Sequence, residues 1–200
     1  MSIALLLPVA FGIVFLAVVA LTTVYGPRGH DIDNVILLAR KLDPSDLEML
    51  LDAGAEWSLR RSLTTWAFRV TQEDRIRLVR EYLQRVGHNA ELIQLWVTQE
   101  NQLLEGKPHE EYTERDLLVV EAVRLALELR LYSIAASLRI WFWMLLRMYR
   151  WPRLLLPRVT DLRVQCGVDV IEKYRRLTEL AVALSARYGK KYHDRLLEAL

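Results

Sequence analysis

From Ser2 to Val24 the chain runs for 23 residues without a charged side chain, and the run is rich in Leu, Val, Ala and Phe. Crossing a hydrocarbon core of about 30 Å takes roughly 20 helical residues, so this segment fits one transmembrane helix. A cleaved signal peptide fits less well. No basic n-region precedes the run, and it exceeds the usual h-region, although Val18-Val19-Ala20 is a permissible cleavage pattern. A buried helix of a soluble fold is the remaining alternative.

Flanking charge orients the span. Nothing basic but the terminal amine precedes it, whereas Arg28, Arg40 and Lys41 follow. The positive-inside rule therefore puts the N-terminus outside and the large domain in the cytoplasm. The expected organisation is an anchor over 1–25, a linker with short helices over 26–70 and a helical bundle domain over 71–200.

Behind the anchor the pattern is helical throughout. Asp31 to Leu42 places Ile32, Val35, Ile36 and Ala39 on one face. Asp43-Pro44-Ser45-Asp46 is a helix start, with Asp43 as cap and Pro44 in the first position. Thr71-Gln72-Glu73-Asp74 has capping-box spacing and opens a helix expected to reach Glu105. On it Ile76, Val79, Leu83, Val86, Ala90, Ile93 and Val97 step three and four apart, the period of a coiled-coil or bundle seam. Gly87 interrupts that helix, either for a close neighbour or for a bend.

Thr113-Glu114-Arg115-Asp116 is a second capping box, opening a helix towards Arg150. Leu117, Val120, Leu127, Leu131, Ile134, Leu138, Trp141, Leu145 and Met148 hold the same spacing, with Arg124 the one polar member. A third long helix is expected over Thr160 to Tyr188, with Cys166, Val170, Tyr174, Leu177, Ala181 and Leu184 inward. Gly189 is expected as its left-handed cap and Lys190 to Leu200 as an amphipathic tail. No period-two stretch of useful length occurs. The fold class is all-α: a single N-terminal transmembrane helix, then an antiparallel bundle of about three long helices plus short ones.

One stretch carries the candidate contact residues. Arg124 to Arg158 holds seven arginines against one acid, Glu128, and three of the six tryptophans lie between Trp141 and Trp151. Arg139, Arg147 and Arg150 fall within about 80° on a helical wheel. With Trp141, Trp143 and Trp151 they suit a membrane interface or a partner, arginines meeting anionic headgroups. A core helix with its arginines emerging on one strip fits the same residues, and a second crossing fits less well because Arg139 would sit mid-span. Glu100 to Glu121, just before, holds seven acids and two bases.

Chemistry is not legible in the motifs. The four histidines, His30, His88, His109 and His193, make no metal or di-iron spacing, and Cys166 is alone. No nucleotide loop or nucleophile elbow occurs. No enzyme, cofactor, nucleic-acid partner or small-molecule ligand is expected. Arg75, Arg77, Arg80 and Arg85, among Glu73, Asp74 and Glu81, read as a mixed solvated face. The 22 arginines against 5 lysines leave a net charge of only +2. The expected function is a membrane-anchored cytoplasmic adaptor, scaffold or accessory subunit of a membrane complex, with membrane lipid and a protein partner or second copy as contacts. The alternative is an enzyme acting on a lipid or membrane-bound phosphorylated substrate.

Overall fold

The computed structural model describes residues 31–102, 114–148, 158–165 and 168–200. The expected anchor over 1–25, with Cys166, His30 and His109, lies outside these residues. Among them no helix is long and apolar enough to cross a membrane.

The described chain is all-helical apart from two-residue strands. Seven helices follow in order: α1 (Ile32–Leu38), α2 (Pro44–Leu50), α3 (Ala53–Ser62), α4 (Thr65–Gln102), α5 (Glu114–Met148), α6 (Val170–Ser185) and α7 (Lys190–Ala199). Two of these are long, at 38 and 35 residues, and the third bundle helix has only 16. The expectation of three long helices is corrected to that extent.

Each boundary has a local cause. Asp43 accepts from the Ser45 N–H at 2.9 Å, with Pro44 in the first position, as expected. Asp52 accepts from Ala55 N at 2.6 Å and starts α3. The helix expected at Thr71 instead begins at Thr65, where the Thr64 hydroxyl accepts from Ala67 N at 3.4 Å. Thr71 is interior, because Phe68, Gln72 and Arg75 extend the inward face upstream. Helix α6 starts ten residues later than Thr160. A 3-10 turn (Val159–Leu162) and an antiparallel ladder pairing Val164 with Asp169 and Gln165 with Val168 use that backbone first. Asp169 then caps α6 through Ile171 N and Glu172 N.

Contacts fix the topology. Gly87 lies against Ser133, Arg130 bonds Gln94 and Glu91, and Arg115 bonds Glu100, so partner numbers fall as α4 ascends. Helices α4 and α5 are therefore antiparallel. Lys173 with Glu128 and Arg176 with Glu121 make α5 and α6 antiparallel as well. One core cluster joins Ile32 and Val35 of α1, Leu47 of α2, the α4 seam from Val79 to Val97, and Val170, Tyr174, Leu177, Ala181 and Leu184 of α6. Ile76 packs on its margin.

A buried polar hub ties the short helices down. Asn89 is fully buried; it accepts from Arg40 N at 2.9 Å and donates to Arg40 O and the Tyr174 hydroxyl, each at 2.8 Å. Tyr174 donates onward to the Leu200 carbonyl, which also accepts from Leu42 N. His88 bonds the Leu38 carbonyl and Arg85 the Lys41 carbonyl. Arg75, expected on a solvated face, is buried instead and donates to the Leu50 carbonyl at 2.7 Å, closing the end of α2.

Gly87 serves close approach rather than a bend. A Cβ there would lie 3.0 Å from Ser133 Cβ and 3.2 Å from its Oγ. Gly87→Ala gains about 1 kcal/mol of helix propensity against a comparable crowding cost, so its unfolding midpoint should stay near wild type. Gly87→Val should lose about 2–3 kcal/mol, since its branched carbons must displace α5. Equal urea midpoints for wild type and the valine variant would remove this account of the crossing. Gly189 has φ 93° and ψ 164°, an extended region open essentially to glycine, not the left-handed cap expected of it.

Candidate functional site

Helix α5 is apolar on two faces. One face, Val119, Ala122, Leu125, Ala126, Leu129, Tyr132, Ala136 and Ile140, is buried. Ser133 on this same face meets the α4 backbone at Gly87, and the alanines around it keep the face small. The regular three-four stripe expected as the bundle seam lies elsewhere. Its centre is roughly 170° away at 100° per residue. Leu117 and Val120 are 63% and 62% exposed, Leu131 is 43% exposed and Trp141 is 51% exposed. Leu127, Ile134 and Leu138 are half-buried. The Arg124 side chain, 76% exposed, bonds Glu128 on the same helix at 2.9 Å.

The physical reason for this correction is volume. Both faces of α5 can be buried, and only one can meet α4 and α6. The alanine-rich face permits the closer crossing, so the larger Leu, Val, Ile and Trp residues are left outward. A helix that is apolar all round is ordinarily buried all round. Here one side keeps Leu117, Val120, Leu131 and Trp141 exposed, and a contiguous apolar surface of that kind marks an interaction site.

The six expected contact residues do not converge. Trp141 belongs to the outward stripe and Phe142 beside it is equally exposed. Trp143 turns inward and packs against the core. Arg139 lies with Trp143, its guanidinium 5.1 Å from the ring centroid, and reaches the Asp161 carbonyl at 3.5 Å and carboxylate at 3.9 Å. Part of the basic strip is thus occupied by an acid of the 3-10 turn. Arg147 lies on α5, while Arg150 and Trp151 lie outside the described residues.

Two further tryptophans were not singled out from the sequence. Trp57 on α3 and Trp66 at the start of α4 are 62% and 75% exposed, and Arg61 stacks 5.2 Å over Trp57. Their basic neighbours Arg60, Arg61 and Arg69 were the available signal.

A cleft of about 570 Å³ between α2, α5 and α6 holds many charges, most of them in ion pairs. Arg175 meets Glu48 at 2.9 Å, Arg163 meets Asp169 at 3.3 Å and Arg176 meets Glu121 at 3.1 Å. At its edge the Lys173 hydrogen bond, helped by Arg124, holds the Glu128 carboxyl below its ordinary range. No protein-family model, curated protein or solved structure matches the chain. Among the described residues no group of His, Cys, Asp or Glu side chains is arranged to hold a metal ion.

Proposed function

We propose that this chain is a membrane-anchored helical adaptor, scaffold or accessory subunit of a membrane complex. Residues 1–25 hold it in the bilayer, and the bundle carries its partner surface on the cytoplasmic side. The observation that supports this reading is the outward apolar face of α5, from Leu117 to Trp141. Arg147, Arg150 and Trp151 complete this reading as a second contact with anionic lipid.

The experiment is gentle-detergent purification of the full chain from its own membranes, with the mass of the particle measured. A complex of fixed stoichiometry is expected, and Trp141→Ala combined with Phe142→Ala should weaken it. Both rings are half-exposed, so the fold should survive their loss. A lone monomer with and without these substitutions would count decisively against the proposal.

A further inference from the structure

We propose that the outward face of α5 is the seam of an antiparallel dimer with a second copy of this chain. The proposal rests on reading that face as a partner surface, and it names the partner.

The first support is the period. From Leu117 to Trp141 the stripe steps three, four, three, four without a break. A strict 3.5-residue stripe is a narrow seam that another helix follows by supercoiling. A flat bilayer calls instead for a wide apolar arc with basic flanks. The first half of this seam is flanked by Asp116, Glu121 and Glu128.

The second support is the single polar member. In a parallel pair Arg124 lies in the same layer as the second copy's Arg124, and two like charges are brought together. Antiparallel pairing mates alternate seam positions. Arg124 then faces Trp141 of the second copy, whose ring accepts a guanidinium. In the same register Leu131 faces Ile134 of the second copy, so apolar layers close the centre.

The two-fold axis of such a pair runs across the helices. Two anchors can therefore enter one membrane with α5 lying along its surface.

The test uses the full chain in mild detergent across a concentration series. A dimer is expected, and Leu131→Glu should weaken it on the order of 100-fold by burying an unpaired charge. The monomer fold should survive, because Leu131 is 43% exposed in the bundle, so the helical circular dichroism should match wild type while the thermal midpoint loses its dependence on concentration. Orientation is read by pulsed electron resonance on Leu117→Cys, spin-labelled in a Cys166→Ser background. Antiparallel pairing in this register separates the labels by about 45 Å at 1.5 Å per residue, and parallel pairing by about 10 Å.

A short label distance, or a dimer indifferent to Leu131→Glu, overturns the proposal. So does a monomer that dimerises only when residues 2–24 are deleted, which would place that segment on the seam. A monomer bound to a different protein refutes self-association alone and leaves the adaptor reading standing. A lone monomer refutes both.

Discussion

Replacing Asn89 with Leu should lower the thermal midpoint by roughly 10 °C, corresponding to about 3 kcal/mol for a domain of this size. The amide is fully buried and serves three groups at once. Leucine keeps the volume but leaves Arg40 N, Arg40 O and the Tyr174 hydroxyl without their partner. An unmade hydrogen bond at a buried group costs about 1–3 kcal/mol, more than the bond contributes when made.

Tyr174→Phe isolates the other end of the hub and should cost only about 1 kcal/mol. Burial pushes the Tyr174 phenol above its ordinary value, which favours the protonated form that donates to the Leu200 carbonyl. The loss should also be local in its first effect. Amides of residues 38–42, pinned to α4 by Arg85, His88 and Asn89, should exchange with solvent before those of the α4 seam. A leucine variant melting within 1 °C of wild type would show that the hub does not hold the short helices.

Trp96→Ala should be the most destabilising single truncation, at about 3–5 kcal/mol. Trp96 is 2% exposed and packs on Tyr188 with ring centroids 6.3 Å apart. Tyr188 in turn meets Tyr192 at 6.0 Å, so the rings link α4 to α7. Around them Glu100 receives the Tyr188 hydroxyl and pairs with Arg115 at 3.1 Å. Removing the indole opens a cavity beneath this cluster and loosens both.

A domain stable by only about 5–15 kcal/mol would lose a large share of its margin. Trp96→Phe should cost much less, because the buried indole N–H has no hydrogen-bond partner among the described residues. Trp66→Ala, at a ring 75% exposed, should change stability by less than about 0.5 kcal/mol. Denaturant midpoints of the three variants give the comparison. Equal midpoints for Trp96→Ala and Trp66→Ala would contradict this account of burial.

Legibility from sequence depended on contrast between faces. Along α4 the apolar residues Val79, Leu83, Val86, Ala90, Ile93 and Val97 stand against Arg77, Arg80, Glu81 and Gln84, so the inward face could be read directly. Asp43 and Pro44 were legible for a similar reason, since a cap and the proline ring act within one turn. Thr64 and Thr71 are both followed by helical residues, and local sequence did not choose between them. The inward-facing Phe68, Gln72 and Arg75 did, through contacts distant in sequence. Arg75 shows the limit from the other direction. Nothing in its charged neighbourhood predicts burial, which follows from the Leu50 carbonyl at the end of α2 arriving within 2.7 Å.

The apolar run from Ser2 to Val24 and the helical periods after it set what the chain can become: an all-helical body behind a segment long enough to span a bilayer. Those properties reside in side-chain chemistry and spacing. The choice between the two faces of α5 did not reside there. The regular Leu117-to-Trp141 stripe is the stronger pattern, yet the bundle buries the alanine-rich face. Small side chains on α5 and Gly87 on α4 let two backbones come close, and that gain exists only when both helices are present. The tertiary structure thus turned an expected core seam into an outward surface.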